Sequence, residues 1–174
     1  DVARFYSLTP TRVMADQPHA LSFDTRFRPA ADAPVEVLPG VLRVTAGNAS
    51  AFTFTGTNSF LIGRESVVVM YPGPDDPKHR EALLAAVAGR KVEAIVLTHT
   101  HKDHSAGAPA LKAATGAPLW FAGPHRLSRP PRPFEVNALW SGCDWGIVPD
   151  RTFFDGERFD AGGVAMIAIA TPGH

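Results

Sequence analysis

The sequence has little of several features that would assign a protein to a class at once. It contains a single cysteine, Cys143, so it cannot form an internal disulfide. We expect a buried, unreactive thiol and a cytoplasmic protein. The 17 Lys and Arg residues balance 17 Asp and Glu residues, so no overall positive charge attracts nucleic acid or an anionic membrane. No apolar run approaches the roughly 20 residues that a membrane-spanning helix needs.

The composition is that of a folded domain. Apolar residues make up 45% of the 174 residues and charged residues 20%, which is typical of one globular domain with a sizeable core. Residues 1–34 contain four prolines and no sustained periodicity. We therefore expect an irregular N-terminal arm over 1–34, to which we assign no chemistry, and a folded domain over 35–174.

Four side chains that can bind metal follow one apolar segment. Val92–Leu97 has the composition of a strand buried on both faces, and it leads into His99, His101, Asp103 and His104. Side chains alternate along an extended backbone, so the first two imidazoles project to one side. The last two residues follow after the chain turns, and are better placed to reach a second position. The spacing predicts a centre for two ions, because zinc binds imidazole nitrogen and carboxylate oxygen. Iron and manganese are alternatives.

A second apolar segment has a similar ending. Val164–Ala170 predicts a buried strand that leads into Thr171, Pro172, Gly173 and His174. We expect His174 to complete a set of three imidazoles with His99 and His101. Such a set leaves the fourth position of a zinc ion open for water, as in hydrolytic centres.

These motifs resemble those of a known family. His99-x-His101-x-Asp103-His104 resembles the signature motif of the metallo-β-lactamase-fold hydrolases, and Thr171–His174 is similar to the segment with that family's next metal histidine. The opening strands resemble those of the branch that includes glyoxalase II and lactamase-like endoribonucleases. The segments that carry this second resemblance are Thr57–Gly63, Val67–Met70 and Pro72–Asp76.

The resemblance covers residues 35–174 and implies an α/β fold, the N-terminal half of an αββα sandwich with a mixed sheet and flanking helices. It implies a zinc-dependent hydrolase whose activated water attacks an ester, thioester or amide of a small-molecule substrate. Asp103 and His104 would hold the second ion, and Asp103 would also orient the water and assist proton transfer. The family's metal-bridging aspartate and last histidine have no counterpart here, so we expect the second ion to bind weakly. Tyr71 replaces the family's usual aspartate before Pro-Gly, which removes a carboxylate that orients metal ligands.

Two other functions stay open. A nuclease of the same fold is supported only by Arg126, Arg129 and Arg132, and a solvated loop is the reading that we favour for them. A non-catalytic metal-binding fragment is the other alternative. Because a half-fold exposes apolar surface and strand edges, we expect a homo-oligomer or pairing with a C-terminal half.

Three local predictions bear on the site. Asp76 and Pro77 predict the start of a helix over Lys78–Ala88, with His79 in its first turn and exposed to solvent. Asp155-Gly156 predicts the turn of a hairpin. The long loop over residues 123–149 is expected to be functional, and its aromatic side chains either line a substrate pocket or fix the loop to the core. Those side chains are His125, Trp140 and Trp145.

Overall fold

A computed structural model describes residues 26–125 and 132–171, and its main element is a six-stranded sheet. The strands lie side by side in chain order. Neighbours are antiparallel from the first strand to the fourth, and the fifth and sixth run parallel to the fourth. The predicted mixed sheet is confirmed. The strands are β1 (Pro34–Leu38), β2 (Val41–Thr45), β3 (Asn58–Ile62), β4 (Ser66–Met70), β5 (Lys91–Val96) and β6 (Leu119–Trp120).

The remaining elements connect or follow these strands. Helix α1 (Pro77–Val87) joins β4 to β5, and helices α2 (Lys102–Ser105) and α3 (Ala108–Thr115) join β5 to β6. After a short 3-10 helix (Ala138–Gly142), strands β7 (Arg158–Ala161) and β8 (Val164–Ile167) form an antiparallel hairpin.

The sheet is apolar on both faces, which explains the β-branched runs in β4 and β5. Val67 and Val69 face α1 and α3, and they belong to one core cluster with Leu83 and Leu111. Val68 lies between them on the chain and therefore faces the opposite side. There it packs with Ala94, Val96, Phe153 and Phe159, next to the β7–β8 hairpin.

Helix α1 begins as the sequence predicts. The Asp76 carboxylate accepts a hydrogen bond of 2.9 Å from the backbone N–H of Lys78, and Pro77 occupies the first turn. The prediction that His79 is exposed was wrong, since its side chain is 0% exposed. Its ring is turned toward β3 and the end of the N-terminal arm, where polar partners satisfy both nitrogens.

The prediction of a buried strand over Val164–Ala170 was also wrong. Strand β8 ends at Ile167, whose side chain is 49% exposed, and most of the strand is exposed. The turn of the hairpin is Gly162-Gly163, whereas Asp155-Gly156 lies before β7. Within residues 26–125 and 132–171, nothing covers the outer side of β8, so its apolar pattern does not correspond to burial on both faces.

The hairpin covers its face of the sheet incompletely. An apolar cavity of about 650 Å³ lies between the two, near the carboxyl ends of β4 and β5. It is lined by Met70, Val96, Leu97, Phe159, Met166 and Ile169, among others. Across residues 26–125 and 132–171, the helices are all too short or too polar to cross a membrane.

Candidate metal centre

The predicted metal motif lies at the carboxyl end of β5. Leu97 is the last buried apolar residue of the segment that contains β5, and the chain then leaves the sheet. The ring centroids of His99 and His101 are 4.8 Å apart, and those of His99 and His104 are 4.7 Å apart. The end of β5 and the first turn of α2 therefore bring three imidazoles together, with the rings of His101 and His104 both next to that of His99.

Asp103 lies beside this group of imidazoles. Its Oδ2 is 3.2 Å from Nε2 of His104 and accepts a hydrogen bond of 3.4 Å from the hydroxyl of Thr57. The backbone N–H of Thr57 in turn donates to the side-chain oxygen of Asn48 at 2.8 Å. No local pattern around Thr57 predicts this contact. The contact joins residues 46 positions apart, so only the fold brings the two together.

Short hydrogen bonds fix the motif itself. The Thr98 hydroxyl lies 2.9 Å from Nδ1 of His99 and so orients that ring. The Ser105 hydroxyl oxygen lies 3.2 Å from the Thr100 carbonyl oxygen and 3.0 Å from that of His101, so its single hydrogen is shared between them and closes the turn at the start of α2. Ser105 is fully buried, so these bonds are shielded from competing water.

The loop between β4 and α1 packs against the metal motif and supports it. The Gly73 N–H donates to the His104 carbonyl at 3.2 Å, and the Gly107 N–H donates to the Gly73 carbonyl at 2.9 Å. A Cβ on Gly107 would lie 2.7 Å from the Pro72 carbonyl oxygen, so only glycine permits this approach. The Tyr71 ring, at the position of the family's usual aspartate, lies 5.0 Å from the His104 ring.

The long loop also contacts the motif. Lys102 Nζ donates to the Ser141 carbonyl at 3.0 Å, and the Asp144 N–H donates to the Thr100 carbonyl at 2.7 Å. His101 forms a β-bridge with Cys143, which is buried as predicted, and burial raises the pKa of its thiol. This part of the loop is therefore fixed to the motif by backbone and side-chain bonds.

Two of the loop's aromatic side chains line the outer side of the centre. The His125 ring is 5.9 Å from the His101 ring and 4.7 Å from the Trp145 ring. The Trp145 N–H donates to the Trp140 carbonyl, which holds the indole in place. Of the three loop arginines, Arg126 and Arg129 lie outside the described residues. The Arg132 backbone N–H donates to the carboxylate of Glu135.

The donors present suit zinc in kind, because they are imidazole nitrogens and one carboxylate. Within residues 26–125 and 132–171, no three histidine, cysteine or acidic side chains are arranged to hold one ion. The sequence predicts that His99 and His101 hold one ion together with His174. His174 lies outside the described residues, and its role stays a prediction.

The comparisons with known proteins agree with one another. A family model described as "Metallo-beta-lactamase superfamily" matches residues 52–174. An Aspergillus chevalieri protein named atrochrysone carboxyl ACP thioesterase is 32% identical over 79% of this chain and 40% of its own length. A lactamase-like protein from Penicillium aethiopicum is 29% identical over 94% of this chain and 49% of its own. The chain thus spans less than half the length of these two relatives.

Solved structures share the fold. A Cronobacter sakazakii metallo-β-lactamase with a HARLDQ motif superposes with a TM-score of 0.60 at 26% identity, over 82% of this chain and 56% of that one. The subclass B3 enzyme BJP-1 of Bradyrhizobium japonicum has a TM-score of 0.60 at 22% identity, over 83% and 54% of the two chains.

Proposed function

The chain belongs to the metallo-β-lactamase superfamily, and from this premise we propose that it carries the metal-binding half of a zinc-dependent acyl-thioester hydrolase. One observation carries the proposal, which is the group of His99, His101 and His104 with Asp103 at the carboxyl end of β5. Zinc bound there would supply a Lewis acid and lower the pKa of a water molecule to roughly 7.

The chain's own residues would bind, orient and transfer protons. His99 and His101, completed by His174, would bind the first ion, and Asp103 with His104 would contribute to a second. Asp103 Oδ2 would accept the proton of the attacking water, since the Thr57 hydroxyl and His104 hold that oxygen in place. His125 lies beside His101 and Trp145 packs against His125, so these two rings would limit the access of bulk water to that side of the centre.

A thioester is the substrate class that we propose. The Aspergillus chevalieri relative is named atrochrysone carboxyl ACP thioesterase, and it is 32% identical over 79% of this chain. The balanced charge of 17 basic and 17 acidic residues gives no general attraction for a polyanion. Both observations favour a small acyl substrate over a nucleic acid.

The experiment is a substrate panel tested on the full-length protein with added zinc. Acyl-N-acetylcysteamine thioesters, matched oxoesters, a β-lactam and a phosphodiester are compared, with His101→Ala as the variant that lacks an essential ligand. We expect thioester hydrolysis that falls at least 100-fold in this variant. Equal rates in wild type and variant would refute the proposal, because a rate that does not need His101 does not come from this centre.

The panel also tests the alternatives. Phosphodiester cleavage with a steep salt dependence would favour a nuclease. Metal binding without turnover of any substrate would favour a non-catalytic metal-binding protein. Zinc, and a cytoplasmic location, stay predictions, and elemental analysis of protein purified without chelator tests the first of them.

A further inference from the structure

A buried polar network near the candidate metal centre includes His79, which was predicted to be exposed to solvent. Nδ1 of His79 lies 3.0 Å from Oδ1 of Asp32, and Nε2 of His79 lies 2.8 Å from the Ser59 hydroxyl. His79 and Ser59 are 0% exposed, and the Asp32 side chain is 7% exposed. The network joins the N-terminal arm, helix α1 and strand β3.

One protonation pattern satisfies the three groups together. With its proton on Nδ1, His79 donates to the Asp32 carboxylate, and Nε2 accepts from the Ser59 hydroxyl. The Asp32 backbone is fixed too, since its N–H donates to the Thr45 carbonyl at 2.8 Å. Removing one member leaves another buried group without its partner, which costs more than the hydrogen bond itself contributes.

Serine, histidine and a carboxylate in contact also occur in nucleophilic hydrolases, where the serine attacks the substrate. Here Ser59 has no exposed surface, so no substrate reaches its hydroxyl oxygen. The network must act through what it touches.

What the imidazole touches is the loop that supports the metal motif. A Cβ built on Gly73 would lie 2.7 Å from Cδ2 of His79 and 2.9 Å from Nε2, so the Gly73 backbone lies directly on the ring. The other side of Gly73 bonds the His104 carbonyl and the Gly107 N–H. Any shift of the ring is therefore passed through a single residue to the helix that carries Asp103 and His104.

We propose that Asp32, His79 and Ser59 are positioning residues that hold Gly73, and through it His104, in the geometry needed for metal binding. The inference rests on the proposed metal centre. The end of the N-terminal arm, where Asp32 lies, would thereby have a structural role. The hydrogen bonds, and not only the bulk of the ring, carry this role, because they fix the ring's orientation against Gly73.

Two variants test this in the full-length protein. Ser59→Ala removes the partner of Nε2, and His79→Phe keeps a ring in place while removing both hydrogen bonds. Val87→Ala is the control, since it removes buried methyl groups from the far end of the same helix. Amide hydrogen exchange at Gly107 is measured without metal, and zinc affinity is measured by competition with a chromophoric chelator.

We expect both variants to exchange the Gly107 N–H roughly tenfold faster and to bind zinc roughly tenfold more weakly, with neither change in the control. Wild-type values in His79→Phe, or equal changes in Val87→Ala, would overturn the proposal. Faster exchange with unchanged zinc affinity would overturn the link to His104 and leave the proposed function intact. If wild type itself binds no zinc, the proposed function fails, while the exchange data still decide whether the network holds Gly73.

Discussion

Gly107→Ala should separate the metal motif from the loop that supports it. The backbone of Gly107 is helical in this structure, so alanine on its own would gain about 0.4–1 kcal/mol by restricting the unfolded chain. Against this, the new Cβ would lie 2.7 Å from the Pro72 carbonyl oxygen, 2.9 Å from that of Pro74 and 3.2 Å from that of Gly73. These are backbone atoms, which cannot rotate away as a side chain can.

The second effect should prevail. Overpacking costs about 1–3 kcal/mol, so we expect the variant to be net destabilised by about 1–2 kcal/mol. With a urea dependence of about 2 kcal/mol per molar, the unfolding midpoint should fall by roughly 0.5–1 M. Because the shift also stretches the bond from Gly107 to Gly73, zinc affinity should fall as well.

A matched substitution supplies the control. A Cβ on Gly142 would meet nothing within 4 Å, and its backbone does not adopt the left-handed conformation. Gly142→Ala should therefore leave the free energy of unfolding within about 0.5 kcal/mol of wild type. If the two variants were equally stable and bound zinc equally, the close approach of Gly107 to the Pro72–Pro74 carbonyls would have no energetic meaning, and the reasoning would be refuted.

Three other perturbations have definite expected outcomes. Thr57→Val removes the hydroxyl that donates to Asp103 and should lower kcat by roughly tenfold at nearly constant KM, as steady-state kinetics would reveal. Hydrogen bonds from the Leu119 N–H and from Lys112 lower the pKa of Asp150. The ionised carboxylate of Asp150 stabilises the fold above about pH 4, and this stabilisation is lost as the pH falls through the folded-state pKa of Asp150. The difference in urea midpoint between wild type and Asp150→Asn should therefore be present at pH 6 and shrink by pH 3. The 174-residue chain should self-associate through the exposed apolar side chains of β8 and the segment after it, Ile167 and Ile169, and Ile167→Asp should reduce this. Light scattering that finds a monomer would contradict the last expectation.

Local signals predicted those parts of the structure that local forces determine. The start of α1 follows from the carboxylate of Asp76 and the fixed backbone of Pro77, and the structure has both in their expected places. His99 and His101 lie together as predicted, with ring centroids 4.8 Å apart, although the chain bends at residues 98 and 99 and is not extended there. Each of these predictions needed only a few consecutive residues.

The failures concern partners that lie far away in the sequence. His79 is off the apolar stripe of α1, which is typical of a solvated residue, but Asp32 and Ser59 approach it from 47 and 20 positions away. The prediction of a buried strand over Val164–Ala170 failed for the opposite reason. Its apolar pattern predicts burial by a packing partner, but in the part of the chain that the structure describes most of β8 is exposed.

The order of strands in the sheet also bears on how the domain forms. Each strand from β1 to β5 pairs with the strand that follows it in the chain, so no strand of the six-stranded sheet has to be inserted between two that are already paired. A chain emerging from the ribosome at about 5–20 residues per second can therefore extend its sheet one edge at a time. Loop closure is short at most steps, which keeps the entropic barrier low. The metal motif, directly after β5, emerges when five of the six strands of this sheet have been synthesised.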